Sequence, residues 1–280
     1  MTAASPVRTR AEGRLLWRET ASATYLEPAL LHTHPHLRCG FTTRHAGRTG
    51  QGLNLSFDKG ERATVLANRQ QVLQAMGLEH ISLYTVRQVH GNAVCVVDAA
   101  ARQHGLHGVA ADALVTNLPD VALGVLVADC LPIVLYTTDT PVLGVVHAGR
   151  LGTLQHVVQQ AVQVMTQRFA IVPADLHALL GPAIGACCYT LDIHAVRPFQ
   201  QHFPTWEQFF LPCAPGRWTM DLLTANTLQL RAAGLPASQI SNASLCTVCQ
   251  HQDLYSHRAE GQEAGRGMAL VAHRATALQV

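Results

Sequence analysis

Two apolar runs in the middle of the chain constrain its fold more than any other feature. Ala122–Tyr136 and Val142–Val146 are dominated by Val, Leu and Ile, and the polar turn Thr137–Pro141 separates them. Neither run alternates apolar with polar residues, so they read as two strands of a hairpin buried on both faces. Such strands have no solvent face and need a large core, which a chain of 280 residues at 48% hydrophobic content can build. The longest apolar stretch, Val121–Tyr136, is broken by Asp129, Cys130 and Pro132, so it is not read as a membrane span.

The hairpin has a chemical consequence. If Asp139-Thr140 is a two-residue turn, Pro132 lies opposite His147, and Cys130 shares the face of Pro132 because side chains alternate with period two. Diagonal neighbours of this kind are about 7–8 Å apart at Cα, within reach of one ion for a thiolate and an imidazole. Cys and His are the ligands zinc prefers. A three-residue turn would reverse the parity, and Pro132 marks a place where the register can shift.

Elsewhere, helical and strand patterns interleave along the whole chain. Glu61–Met76 repeats apolar residues at helical spacing and ends at Gly77. Tyr84–Val97 reads as strands around a turn at Gly91-Asn92, and Leu176–Leu180 as a short strand ending in Gly181-Pro182. Thr153–Phe169 is the clearest helix, with a stripe of Val157, Ala161, Val164, Met165 and Phe169. Asp221–Ala233 is a further helix, N-capped by Asp221 and closed by Gly234. Interleaved strands and helices predict an α/β or α+β class. Residues 1–12 read as a disordered lead-in, and residues 13–280 as one domain, because nothing marks a boundary.

Charge and composition narrow the partners. A net charge of +2, scattered Lys and Arg, and 5% aromatic residues speak against nucleic acid. The N-terminal stretch has no apolar core of a signal peptide, so the expected location is the cytoplasm and the eight cysteines are expected to be reduced. Cys246 and Cys249 form a CxxC, but no second pair follows at ribbon spacing, so no structural zinc is expected there. Cys187-Cys188 reads as packing.

Read together, RQVHGN (Arg87–Asn92), ADALVTNLPDVALGVLVADCLPIVLY (Ala111–Tyr136) and GVVHAGRLGTL (Gly144–Leu154) resemble the signature of the bacterial laccase-domain, or polyphenol-oxidase-like, family described as purine nucleoside phosphorylases. GFTTRHAG (Gly40–Gly47), LLGPAIGACCY, MDLLTANTLQLRAAG and LCTVC followed by LYSHRAEGQEAGRGMALV match it in order. The match runs from Arg14 to His273.

The resemblance implies a single α/β domain with mixed sheets sandwiched between helices. It implies a metal, zinc with copper as the alternative, held by His90, Cys130 and His147. Two His and one Cys leave a fourth tetrahedral position open, the mark of a catalytic site. It implies phosphorolysis of adenosine, inosine, guanosine and methylthioadenosine, with deamination of adenosine. Its alternative readings are a copper-dependent polyphenol oxidase and a zinc hydrolase that edits peptidoglycan precursors. Three departures bear on substrate preference: Arg150-Leu151 replaces the family's Trp-Arg, Thr190 replaces a Glu, and Ala46-Gly47 replaces Gly-Gly.

The chemistry then asks for an anion site and a proton carrier. His147–Thr153 runs from a strand into a helix, so Gly149, Arg150 and Gly152 read as a phosphate seat at a helix start or as an ordinary turn. The resemblance adds Arg44 as a phosphate or ribose ligand, and Arg258 and Arg266 are further candidates. Asp129 is either the carboxylate that shuttles protons or a structural hydrogen-bond acceptor. Gln88 either reads the purine or anchors its loop, and Asp112 is a candidate partner for a ligand histidine. Catalytic roles are thus expected of Asp129 and Arg44, with purine nucleosides and phosphate as partners.

Overall fold

A computed structural model of the chain describes residues 7–12, 14–34, 36–47 and 51–273. The first strands are β1 (Arg8–Glu12), β2 (Leu15–Glu19), β3 (Thr24–Pro28), β4 (Leu37–Thr42), β5 (His45–Ala46) and β6 (Gln51–Gly52). Helix α1 (Arg62–Ala75), β7 (Ser82–Tyr84), β8 (Val94–Val96), α2 (Ala99–His104) and β9 (Ala113–Thr116) follow. The central elements are β10 (Val121–Val127), β11 (Leu131–Tyr136), β12 (Leu143–Ala148), α3 (Arg150–Leu154) and α4 (Val157–Phe169). The rest are β13 (His177–Leu180), β14 (Thr190–Asp192), α5 (Ile193–His202), β15 (Phe210–Ala214), β16 (Arg217–Met220), α6 (Leu222–Ala232), β17 (Ile240–Asn242), α7 (His257–Glu260) and β18 (Gly267–His273).

The expected α/β class with mixed sheets is what the chain forms. Two large sheets carry it, one in the order β1-β2-β3-β4-β18-β10-β7 and one in the order β17-β13-β11-β12-β9-β8. Each combines antiparallel pairs with parallel ones, β7 on β10 in the first and both β17 on β13 and β8 on β9 in the second. The apolar runs explain how they stack. Leu123 and Val125 of β10, Val134 and Tyr136 of β11, and Leu143 and Val145 of β12 share one core between the sheets. The alternate residues face outward. Ala122 of β10 packs with Val72 and Met76 of the α1 region. Leu131, Ile133 and Leu135 of β11 pack with Val158, Ala161 and Met165 of α4 and with Ala225 of α6. With both sheet faces covered, neither run needs a polar alternate.

Several expectations change in the structure. Val121–Tyr136 is not one strand, because Ala128, Asp129 and Cys130 bend and carry the chain from one sheet to the other. The hairpin is therefore β11 and β12 alone, and its register places Pro132 opposite His147 as expected. Tyr84–Val97 crosses in the same direction, since β7 joins β10 while β8 joins β9. Thr153–Phe169 is two helices, broken at His156, which adopts φ 60° and stacks on Phe203 at 4.7 Å between ring centroids. The apolar stripe is unbroken there, so periodicity gives no sign of the break.

Asp221 caps α6 by accepting from Thr224 N, and Gly234 takes φ 102° just beyond it, as the pattern predicts. In place of the expected disordered lead-in, Arg8–Glu12 form β1, which pairs with β2; the expectation for residues 1–6 falls outside the described residues, as do residues 274–280. No helix among the described residues is long and apolar enough to cross a membrane.

The doubly covered hairpin sets a stability expectation. Leu135 is fully buried between β12 and α4, whereas Leu211 is 58% exposed. Leu135→Ala should cost about 2–5 kcal/mol and Leu211→Ala less than about 0.5 kcal/mol, read from urea unfolding midpoints. Equal costs would show that the run is not doubly buried.

Candidate metal centre

The two crossings between sheets deliver the ligands. His90 lies in the 85–93 crossing, Cys130 ends the 128–130 crossing, and His147 sits near the end of β12 beside both. One ring nitrogen from each histidine and the Cys130 sulfur lie within 4.8 Å of one another. The two imidazoles meet edge to face, 4.9 Å between centroids. His147 is buried, Cys130 half-buried and His90 exposed, so the cluster opens outward along its His90 side.

Asp112, fully buried, organises the group. Its carboxylate accepts from the backbone N–H groups of Val89 (3.2 Å), His90 (2.9 Å) and Gly91 (2.7 Å). Three successive N–H groups converging on one anion form a nest, and His90 holds φ 58° to complete it. The same carboxylate lies 2.8 Å from His147 Nδ1, while His147 N donates to the Asp112 carbonyl at 2.7 Å. With Nδ1 committed to Asp112, Nε2 of His147 is left for a cation. Burial raises the Asp112 carboxyl, but the His147 hydrogen bond and the backbone donors outweigh it and the net shift is downward.

The thiol and the imidazole form a charged pair. Burial pushes Cys130 up, yet His147 and His90 overcome it and bring the thiol to about 6. Burial pushes His147 down, but the Cys130 thiolate and Asp112 raise it to about 9. Gly149 lets the two sides close: a Cβ there would stand 2.7 Å from Cys130 Sγ and 3.3 Å from His90 Cδ2. A thiolate and two imidazoles, one oriented by a buried carboxylate, fit zinc and leave a fourth position for a ligand.

The cluster forms the floor of a cavity of about 520 Å³, in the range of small-molecule sites. Four arginines line it, Arg87, Arg150, Arg258 and Arg266, together with Tyr189, His257 and Asp58. The Arg258 guanidinium stacks 5.4 Å from the Tyr189 ring centre. Arg150 is the first residue of α3 and Gly149 its N-cap, but this helix has only 5 residues. Gly152 is buried instead, where a Cβ would press on Gly91 O at 3.1 Å. Its role is to let α3 approach the His90 loop.

Other expected residues settle differently. Arg44 does not line the cavity: Nη1 donates to His251 O at 2.7 Å and pairs with Glu260 at 2.5 Å, and the guanidinium stacks on Tyr255. Asp129, at φ 87°, accepts from Thr247 Oγ1 (2.6 Å), Ser256 Oγ (2.7 Å) and Arg258 N (2.6 Å). These bonds are those of a structural acceptor, and Asp129 also lines the cavity. Gln88 spans the edge of β10, donating to Leu126 O at 2.8 Å and accepting from Leu126 N at 2.7 Å, so it anchors the loop. Arg87, Tyr189 and His257 reach the cavity from places no spacing rule marked, although all three lie inside matched motifs or next to them.

Comparison with known proteins adds four findings. Residues 38–274 match the family model described as multi-copper polyphenol oxidoreductase laccase. The chain is 32% identical over 249 residues to purine nucleoside phosphorylase YlmD of Geobacillus stearothermophilus, covering 84% of this chain and 89% of that one. It is 34% identical over 224 residues to adenosine deaminase RL5 of an unknown prokaryotic organism, covering 77% and 84%. Among solved structures, Bacillus licheniformis hypothetical protein YfiH aligns with a TM-score of 0.83 at 28% identity, over 92% of this chain and 99% of that one.

The charged pair predicts proton release on metal uptake. Between about 6 and about 9 the metal-free cluster holds a Cys130 thiolate and a His147 imidazolium. A cation must displace the proton on Nε2, so zinc uptake near pH 7.5 should release about one proton per cluster. Affinity should rise with pH up to about 9 and fall below about 6 as the thiol protonates. Calorimetry in buffers of different ionisation enthalpy measures the proton count, and uptake with none released would refute the pairing.

Proposed function

Since the chain belongs to the multi-copper polyphenol oxidoreductase laccase family, whose relatives named here include a purine nucleoside phosphorylase and an adenosine deaminase, we propose that it is a purine nucleoside phosphorylase with adenosine deaminase activity. The observation that supports this most is one juxtaposition. A cluster of three metal-ligating side chains lies at the floor of a cavity lined by four arginines. Zinc is the metal proposed, and when bound by His90, Cys130 and His147 it would supply Lewis acidity at neutral pH.

The chain's own residues supply the rest. Phosphate needs cationic hydrogen-bond donors, which Arg87, Arg150, Arg258 and Arg266 present around one cavity. Val86, Leu126, Ile184 and Leu222 give it apolar walls, with the Tyr189 ring beside them, suited to a flat purine. Asp129 keeps the Arg258 backbone in place and is not assigned a proton to move, because its oxygens already accept three hydrogen bonds. His257 lies 2.7 Å from Gly261 O through Nδ1. That nitrogen must donate, so in the neutral ring Nε2 holds the lone pair and is the lining group assigned to carry a proton.

A copper oxidase reducing oxygen by four electrons needs several copper centres built from histidine pairs. Among the described residues, two clusters have metal-ligating composition, one with two histidines and one made of cysteines alone. That donor inventory favours the nucleoside reading.

Adenosine with phosphate should give adenine and ribose 1-phosphate, and adenosine alone should give inosine. Cys130→Ala should lower both rates by about 100-fold or more, the scale of several kcal/mol that a catalytic metal supplies. Arg150→Ala should raise the KM for phosphate about 10-fold, one charged hydrogen bond, with deamination changed by less than about 3-fold. Mass spectrometry of the products against phosphate concentration reads both. Metal-loaded protein that releases neither adenine nor inosine ends the proposal.

A further inference from the structure

Four cysteines from two separate turns meet on the stretches that also supply Ile184 and Tyr189 to the cavity wall. Cys187 and Cys188 follow β13, and Cys246 and Cys249 follow β17. A parallel bridge between Ala183 and Cys246 aligns the two stretches, with Ala183 N donating to Leu245 O at 3.2 Å and Thr247 N to Ala183 O at 3.0 Å. The CxxC has its second pair after all. That pair precedes it and is adjacent in sequence, a pattern ribbon spacing does not describe.

The geometry distinguishes packing, disulfides and a cage. All four sulfurs lie within 4.8 Å of one another. Cys249 Sγ stands 3.7 Å from Cys187 Sγ and 3.6 Å from Cys188 Sγ. A disulfide requires about 2.05 Å, and all four cysteines are free. Four sulfurs each about 2.3 Å from one tetrahedral ion would lie about 3.8 Å apart. The spacing is that of a tetrathiolate cage. Unlike buried core cysteines, Cys187 and Cys249 are exposed, so apolar burial does not explain the convergence.

The backbone is arranged around the sulfurs as well. Gly185 N donates to Cys246 Sγ at 3.2 Å, a bond that strengthens when the sulfur is a thiolate. A Cβ on Gly185 would stand 3.2 Å from Cys187 Sγ and 3.3 Å from Cys246 Cβ, so the glycine lets the turn close on the cluster.

We propose that Cys187, Cys188, Cys246 and Cys249 hold a second metal ion, a structural zinc in a closed tetrahedral site. Four protein ligands leave no position for substrate, which separates it in kind from the three-ligand cluster. Its effect is to clip residues 183–189 to residues 246–249. Both stretches continue directly into the cavity wall, through Ile184 and Tyr189 on one side and through Thr247, which holds Asp129, on the other. The clip would fix the wall that carries Arg258 without touching the reacting atoms. This inference stands whether or not the nucleoside reading holds.

The test is metal content by mass spectrometry on protein purified under reducing conditions. Wild type should carry about two zinc ions per chain, Cys130→Ala and Cys187→Ser about one each, and the double variant none. The residual ion in Cys187→Ser doubles as the control that this variant is folded. Cobalt-loaded Cys130→Ala should show strong thiolate-to-cobalt charge transfer and tetrahedral d–d bands, both lost on adding Cys187→Ser. Cys130→Ala isolated without metal and giving no such bands, cobalt bands that survive Cys187→Ser, or a disulfide among the four cysteines in peptide maps would each overturn the proposal.

Discussion

The carboxylate of Asp112 is the constraint on which the candidate metal centre depends. One buried anion gathers three successive N–H groups of the His90 loop and the imidazole of His147. Remove it and the loop has no reason to hold a histidine at φ 58°. The strand residue His147 would also lose the partner that sets its tautomer. A buried carboxylate is costly unless its oxygens are satisfied, and here four donors satisfy it. The electrostatics of the site follow in sequence. An ionised Asp112 supports a protonated His147 in the metal-free cluster, and that imidazolium supports a thiolate at Cys130.

The sheets explain why such a site arises where it does. Two stretches cross from the seven-stranded to the six-stranded sheet, and each delivers one ligand, His90 or Cys130. At a crossing the backbone leaves the ladder and its side chains are released from strict alternation. Donors from separate elements can then converge on a point that no strand face would offer. The doubly buried strands around them supply a rigid frame, which keeps the convergence from relaxing.

This also marks what the sequence disclosed. Period-two logic on the hairpin placed Pro132 opposite His147, and that register is found. The same logic assumed that Cys130 belonged to the strand, whereas it is the residue before it, in the bend with Asp129 at φ 87°. His90 was accessible only through its motif, because nothing local ties a loop histidine to a strand 57 positions away. Arg44 shows the opposite case: its motif matched, but the motif gives no sign that its guanidinium pairs with Glu260 and donates to His251 O. The break at His156 and the pairing of Cys187-Cys188 with Cys246 and Cys249 stayed hidden for one reason. Both are set by tertiary packing that leaves no period in the sequence.

Two buried aspartates divide the labour of the cavity, and the division bears on how it can vary. Asp112 holds the metal-ligating floor through the His90 loop and His147. Asp129 serves the wall: its carboxylate grips Thr247, Ser256 and the Arg258 backbone, and its carbonyl accepts from Ile184 N at 2.8 Å. The cysteine cluster lies on the same two stretches that Asp129 ties together. Asp129 also directly precedes Cys130, so its bonds to the wall fix the bend that delivers one ligand of the floor. Two of the departures that the resemblance marks lie next to groups that line the cavity, Leu151 beside Arg150 and Thr190 beside Tyr189. Leu151 is 40% exposed on α3, and the Thr190 carbonyl lies 3.4 Å from the Arg258 guanidinium. Under the proposed function, changes at those positions would bear first on Arg150, Tyr189 and Arg258, the groups that line the cavity beside them.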